Sequence, residues 1–234
     1  MVKGINYILY LCFIISSCAN NVSDRPSENP LFIEEHHQEE DIKPMVDTIE
    51  ISDTAIIELK EEDGSFLLNM KYATEDNFLK EKVYDCAKCL LRKKAVDALI
   101  KASALAEQKG YRIMFFDCYR PLYIQEKMWE IVNDPRYVAN PAKGSIHNRG
   151  GAVDLTLADM EGNALDMGTK FDHFGKEAHH DYLELSEEVL KNREELKNIM
   201  TAVGFIPLNS EWWHYSLEGA RNYSLGNTPI VCDE

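Results

Sequence analysis

The spacing of apolar residues changes between helical and extended along the chain from about residue 49 onward. Apolar residues at helical spacing predict one helix over residues 90–108, which ends at Gly110, and a second over residues 122–132, which begins just after a proline. A third helix is predicted over residues 186–203, because its first residue is a serine, a preferred N-terminal cap, and Gly204 ends the pattern.

Shorter apolar runs between these helices predict β-strands. They cover residues 66–72, 111–116, 151–157 and 212–215. Strands and helices alternate irregularly, and a loop rich in Asn, Pro and Gly fills residues 133–144. We therefore expect an α+β fold, a single domain with a central, mostly antiparallel sheet packed by helices.

The N-terminus has the pattern of an export signal. Lys3 precedes an apolar run over residues 5–15, which is too short to span a bilayer and is followed by small residues. The sequence Ile15-Ser16-Ser17-Cys18 resembles a bacterial lipobox, in which the cysteine receives lipid and becomes the first mature residue. The alternative is an ordinary signal peptide with an incidental cysteine. Both interpretations predict export.

The next stretch, residues 18–48, is polar and acidic and has no apolar period. It predicts a lipidated Cys18 followed by a disordered tether. The expected organisation is a lipoprotein signal peptide at residues 1–17, this tether, and a folded domain at residues 49–234. The expected location is the bacterial cell envelope, as a periplasm-facing lipoprotein anchored to the inner or the outer membrane.

Composition narrows the range of partners. The 234 residues include 25 Lys and Arg against 40 Asp and Glu, a formal net charge of −15. Nucleic-acid binding needs a basic surface, so this balance argues against it. The content of hydrophobic residues, 45%, is ample for a buried core. Contact with a membrane is expected through the N-terminal lipid only.

Three residues form a candidate metal site: His147, Asp154 and His214. A catalytic zinc ion typically keeps three protein ligands of these types and leaves a fourth position for water or substrate. Asp154 falls within a predicted strand and His147 in the loop before it. Gly150 and Gly151 allow that loop to turn tightly enough to bring both side chains to one ion.

Glu211 is the candidate general base, because it lies three residues before His214. In a regular strand, residues three apart face opposite sides of the sheet. The two side chains therefore converge only if a turn or bulge interrupts the strand around residues 210–212. We predict such an irregularity.

Residues 145–154 and 211–214 together resemble the signature of the zinc D-alanyl-D-alanine dipeptidases. These are D,D-peptidases that share a fold with the hedgehog signalling domain. The resemblance covers roughly residues 56–223. It rests on five motifs in one order: Lys71-Tyr72-Ala73-Thr74-x-x-Asn77-Phe78, Asp117-x-Tyr119-Arg120-Pro121, Ser145-x-His147-x-x-Gly150-x-Ala152-x-Asp154, Met167-Gly168-x-x-Phe171-Asp172 and Glu211-x-Trp213-His214.

The resemblance implies a role for each matching residue. Glu211 is implied as the general base and Arg120 as the cation that stabilises the oxyanion of the tetrahedral intermediate, a role that suits a permanently charged guanidinium. Tyr72 and Asp172 match positions that hold the free amino group of the substrate, and Ser145 matches a position that lines the pocket. One zinc ion per chain is implied, held by His147, Asp154 and His214.

The implied function is hydrolysis of the dipeptide D-Ala-D-Ala in cell-wall turnover or recycling. Asp172 favours a dipeptidase, since a carboxylate that faces a free ammonium group disfavours a continuing peptide chain. One alternative is a D,D-carboxypeptidase or endopeptidase that acts on peptidoglycan stem peptides. Another is a zinc-containing binding domain without catalysis. The oligomeric state stays open.

Four cysteines follow the tether: Cys86, Cys89, Cys118 and Cys232. Cys86 and Cys89 have the spacing of half a zinc site, but a second pair is missing, so a structural zinc ion is not expected. Cys118 is expected as a buried, passive thiol. In an oxidising compartment, one of these cysteines is expected to pair with Cys232, and the sequence leaves open which one.

Overall fold

A computed structural model describes residues 51–233 of the chain. The predicted signal peptide at residues 1–17, the lipidation site Cys18 and the predicted tether at residues 18–48 lie outside the described residues. Within residues 51–233, no helix combines the length and the apolarity needed to cross a membrane.

The described residues form seven strands and three α-helices. In chain order they are β1 (Ile56–Leu59), β2 (Phe66–Leu68), β3 (Cys89–Arg92), α1 (Lys93–Glu107), β4 (Arg112–Asp117), α2 (Leu122–Ile131), β5 (Ala152–Ala158), α3 (Glu187–Ala202), β6 (Phe205–Leu208) and β7 (Glu211–Leu217). Ser186 caps α3, since its side chain accepts a hydrogen bond from the Val189 amide.

The central sheet has five strands in the order β2-β4-β5-β7-β6. Pairing is antiparallel between β4 and β5, β5 and β7, and β7 and β6, and parallel only between β2 and β4. This confirms the predicted α+β fold with a mostly antiparallel sheet. Strands β1 and β3 form a separate antiparallel pair.

Two of the predicted elements are wrong at one end. The helix predicted over residues 90–108 begins only at Lys93, because Cys89–Arg92 pairs with β1 as a strand whose side chains alternate between buried and half-buried. The strand predicted over residues 66–72 ends at Leu68, and Lys71–Ala73 forms a 3-10 turn that buries the Tyr72 ring. The apolar pattern does not predict β1 or β6.

The two faces of the central sheet differ in chemistry: one packs into the hydrophobic core and the other carries Asp154. On β5, Val153, Leu155 and Leu157 belong to one buried cluster with Leu99 of α1 and Leu196 of α3. Side chains alternate across a strand, so Asp154 lies on the opposite face. Helices α1 and α3 thus cover one face, and the other face is available for chemistry.

Candidate active site

Three elements bring the predicted metal ligands together. His147 begins a 3-10 turn, His147–Arg149, just before β5. Asp154 lies on β5 directly opposite His214 on the neighbouring strand β7. One ligand atom from each of the three side chains lies within 4.8 Å of the other two.

The arrangement of these atoms fits a tetrahedral ion. Nε2 of His147 lies 3.1 Å from Nδ1 of His214 and 3.4 Å from Oδ1 of Asp154, and the last two atoms are 2.9 Å apart. A tetrahedron with zinc–ligand bonds of 2.0–2.1 Å has edges of about 3.3 Å. The donor set therefore has a spacing that fits one tetrahedrally coordinated metal ion.

Hydrogen bonds orient both imidazole rings so that one nitrogen of each faces this point. Nδ1 of His147 lies 2.8 Å from the carbonyl oxygen of Cys118, which can only accept, so Nδ1 carries the proton and Nε2 presents its lone pair. Nε2 of His214 lies 3.1 Å from Oγ of Ser216, which leaves Nδ1 for the ion. Such outer hydrogen bonds are typical of histidine ligands.

The two glycines before β5 do what the sequence suggests. Gly150 adopts φ +71°, a left-handed conformation that strains other residues. At Gly151 a Cβ atom would lie 2.4 Å from Cβ of Ala220. The chain can therefore pass from His147 to Asp154 only with glycine at both positions.

The predicted irregularity in the last strand is confirmed. Leu208 of β6 pairs with Glu211, but the preceding residue, Pro207, pairs with Tyr215. The β7 residues between these partners bulge out of register, and Trp212 and Trp213 are both buried. Glu211 and His214 consequently line the same cleft.

Glu211 sits in surroundings that suit a base. Burial raises the pKa of its carboxyl, and the nearby charge of Asp154 raises it further, whereas His214 lowers it. A carboxylate with a raised pKa is a better proton acceptor than one in water.

Arg120 is buried rather than on the surface. Its Nε and one terminal nitrogen donate to Oδ2 of Asp117, and Nη1 donates to Oε1 of Gln125 at 3.1 Å. Oδ1 of Asp117 accepts from the Tyr84 hydroxyl at 2.8 Å. The guanidinium carbon lies 5.3 Å from the centre of the Tyr72 ring. These contacts fix the orientation of the guanidinium.

Asp172 and Tyr72 form a unit at the edge of the same cleft. The Tyr72 hydroxyl donates to both carboxyl oxygens of Asp172, at 3.2 and 3.1 Å. Burial raises the pKa of Asp172 well above its ordinary range, and the charge of Asp154 adds to this. Asp172 also adopts φ +60°, a strained conformation that is concentrated at functional sites.

One cleft of about 660 Å³ contains every predicted site residue of the folded domain. Ser145 lies at its wall, where its hydroxyl donates to Oδ1 of Asn148 at 3.0 Å. The cleft is lined, among others, by Tyr72, Arg120, Ser145, His147, Asp154, Asp172, Glu211 and His214.

Comparison with known proteins agrees with this geometry. Residues 58–231 match the family described as D-Ala-D-Ala dipeptidase, peptidase family M15. The chain belongs to this family. It is 40% identical over 188 residues to the D-alanyl-D-alanine dipeptidase of Escherichia coli K12, a match that covers 80% of this chain and 95% of that protein.

More distant relatives extend the comparison. The D-alanyl-D-alanine dipeptidase of Enterococcus faecium is 32% identical over 168 residues, which cover 63% of this chain and 83% of that protein. Among solved structures, the LdcB LD-carboxypeptidase is similar with a TM-score of 0.40 and 18% identity, over 75% of this chain and 73% of that chain. Membership of the M15 family identifies the protein as a metallopeptidase.

Three residues that hold Arg120 in place in this M15 site were not predicted from the sequence: Asp117, Gln125 and Tyr84. Asp117 appears in the sequence only as part of a motif, and its position three residues before Arg120 was the available signal. Gln125 and Tyr84 carry no signal that sets them apart from other polar residues.

The expectation for Cys118 is wrong. Instead of a passive thiol, it forms a disulfide with Cys89, because the end of β4 lies beside β3 with a Cα–Cα distance of 5.3 Å. The partner of Cys232 is Cys86. All four cysteines of the described residues are therefore oxidised.

Proposed function

We propose that this M15 peptidase hydrolyses D-Ala-D-Ala to two D-alanines in cell-wall turnover, with one zinc ion held by His147, Asp154 and His214. The observation that carries the proposal is Asp172. Its carboxyl lies in the cleft of the metal ligands, is half-buried, and forms no ion pair within residues 51–233. A carboxylate that has lost part of its hydration is stabilised by a charged partner, and the free ammonium group of a dipeptide supplies one.

The donor set supports zinc. Two imidazole nitrogens and one carboxylate oxygen at tetrahedral spacing leave one position open, as in catalytic zinc sites. When bound, zinc supplies a Lewis acid that polarises the scissile carbonyl and acidifies water. The chain supplies the other functions of the mechanism.

Glu211 takes a proton from the attacking water and returns it to the leaving amine of the second alanine. Arg120 stabilises the negative charge that forms during the attack. A guanidinium has five N–H groups, and three of those on Arg120 are used by Asp117 and Gln125. The remaining two stabilise the negative charge that develops on the carbonyl oxygen.

Asp172 orients the substrate from the side of its amino group. With the ammonium held there, the first alanine is fixed and its carbonyl lies toward the metal ligands. A stem peptide has an acyl group at this position and cannot form the ion pair. The carboxylate thereby favours a dipeptide over a longer substrate.

The test compares three substrates with one type of scissile bond: D-Ala-D-Ala, N-acetyl-D-Ala-D-Ala and a stem pentapeptide. Hydrogen bonds to charged groups contribute about 1.5–3 kcal/mol, so we expect kcat/KM to be about 10–150-fold higher for the free dipeptide than for its acetylated form. The variant Asp172→Asn should lower kcat/KM for the dipeptide by a similar factor and close most of this gap.

Asp181→Asn is the matched control, because it removes the same charge from a side chain that is 71% exposed. It should leave both values unchanged. Cleavage of the pentapeptide alone would replace the proposal by a D,D-carboxypeptidase or endopeptidase. If zinc-loaded protein cleaves none of the substrates, the third interpretation, a non-catalytic binding domain, takes its place.

We also propose that the enzyme is an envelope lipoprotein attached through Cys18. The support is the pattern of residues 1–18 in the sequence. Replacement of Cys18 by alanine should move the protein from the membrane fraction to the soluble periplasmic fraction and abolish labelling with radioactive palmitate. Labelling that persists in the Cys18→Ala variant would contradict the proposal.

A further inference from the structure

The chain segment at the end of β4, residues 117–120, orients more of the site than the one side chain that enters the cleft. The carbonyl oxygen of Cys118 accepts the hydrogen bond from Nδ1 of His147, at 2.8 Å. The Cys118 amide donates to Oδ1 of Asp117 at 3.0 Å, and the Arg120 amide donates to the His147 carbonyl at 3.1 Å. The segment therefore orients both a metal ligand, His147, and Arg120, the cation proposed to stabilise the oxyanion.

The central sheet holds this segment only weakly. The register between β4 and β5 shifts between Phe115 and Asp117, and β4 ends at Asp117. Cys118 consequently lies beyond the last regular pair of the sheet. Another part of the fold has to fix its position.

Strand β3 does so. Its residue Leu90 accepts a hydrogen bond from the Tyr119 amide at 2.9 Å, and Cys89 forms the disulfide with Cys118. At its other end, Arg92 bonds to the turn that carries His147, since its amide donates to the Gly150 carbonyl at 2.9 Å. One short strand thus connects both loops of the active site.

Strand β3 has only four residues, and its only strand partner among the described residues is β1. A two-stranded sheet is marginally stable by itself. The covalent bond between Cys89 and Cys118, both fully buried, therefore secures a contact that backbone hydrogen bonds hold weakly.

We propose that the Cys89–Cys118 disulfide is a positioning element of the active site. Through the Cys118 carbonyl it fixes the ring of His147, and through Asp117 it fixes Arg120. The catalytic part of this inference rests on the proposed function. Compared with removal of the Cys86–Cys232 disulfide, removal of this disulfide should lower metal affinity and kcat more and Tm less.

The second disulfide is a matched control within the same chain. Cys86 and Cys232 are 146 residues apart, against 29 for Cys89 and Cys118. A disulfide that closes a longer loop stabilises more, so its removal should lower Tm more. Within the part of the chain that the structure describes, neither Cys86 nor Cys232 has a hydrogen bond to the segment 117–120 or to a metal ligand.

The experiment compares the full-chain protein in detergent with two double variants. Cys89→Val with Cys118→Ala retains most of the buried volume, and Cys86→Ala with Cys232→Ala removes the control disulfide. Cobalt(II) is the probe, because its visible absorption reports ligand geometry. Tm, the dissociation constant of cobalt(II), its spectrum, kcat and KM are measured where all three proteins are folded.

We expect Cys89→Val with Cys118→Ala to weaken cobalt(II) binding and to lower kcat, each by about 10–100-fold, with an altered spectrum and little change in KM. The control variant should lose more Tm and keep the spectrum and kcat. If Cys89→Val with Cys118→Ala keeps wild-type cobalt(II) affinity and spectrum, or if both variants lose affinity in proportion to Tm, the proposal is overturned. Failure of the wild type to cleave D-Ala-D-Ala would contradict the proposed function alone, since affinity and spectrum still test the positioning.

Discussion

Glu211→Gln should lower kcat for D-Ala-D-Ala by about 10²- to 10⁴-fold, the usual contribution of a general base. Glutamine has the same shape but cannot accept a proton. Glu211 shares the cleft with His214 because the residues between Glu211 and Tyr215 bulge out of register with β6. The isosteric change retains this geometry and removes only the proton transfer. Steady-state kinetics with release of D-alanine as the readout measures the effect.

Metal content separates this role from that of a ligand. The Glu211→Gln enzyme should bind zinc as tightly as the wild type, and Glu218→Gln, an exposed neighbour on the same chain segment, should retain full activity. A variant at Glu211 that loses its zinc would show that the carboxylate is a ligand instead. Activity close to that of the wild type would remove Glu211 as the base.

Asp154→Asn should weaken zinc binding by more than about 100-fold, because loss of outer-shell partners alone costs 10–100-fold. Burial by itself raises the pKa of Asp154, but His147 and His214 outweigh burial and hold the pKa well below its usual range. The carboxylate is therefore the only anion among the three ligands. Asparagine has the same volume and lacks this charge.

The measurement is competition for zinc between the protein and a chromophoric chelator, followed by kinetics at saturating zinc. Removal of zinc from the wild type should abolish activity, and added zinc should restore it. Asp85→Asn, at an exposed position, is the matched control. Unchanged zinc affinity in Asp154→Asn would exclude Asp154 as a ligand.

The sequence predicts the site better than it predicts the strand ends. Few types of side chain bind metal ions, and the sequence places three of them in the order of the family motifs: His147, Asp154 and His214. The bulge in β7 was predictable once Glu211 and His214 were assigned to one site, because residues three apart face opposite sides of a regular strand. Element type is harder to predict at residues 90–92, where helical spacing continues into a strand because pairing with β1 overrides it.

Contacts between distant parts of the chain explain what the sequence does not predict. Tyr84 donates to Asp117 across 33 positions of sequence, and Cys89 bonds to Cys118 across 29. No local pattern encodes such contacts, since each depends on how strands are ordered in space. The left-handed conformation of Asp172 is another such feature, because most aspartates avoid it.

The Cys86–Cys232 bond makes a closed ring of the intervening chain, whose two ends are 146 positions apart in the sequence. Every predicted catalytic residue and metal ligand lies inside this ring, and of the site residues in the folded domain only Tyr72 lies outside it. A single protease cut within residues 133–144 therefore opens the ring without releasing a fragment. The two halves of the active site, Arg120 on one side of the cut and the metal ligands on the other, stay parts of one covalent molecule. In a compartment that keeps this bond oxidised, the enzyme can be nicked without being divided.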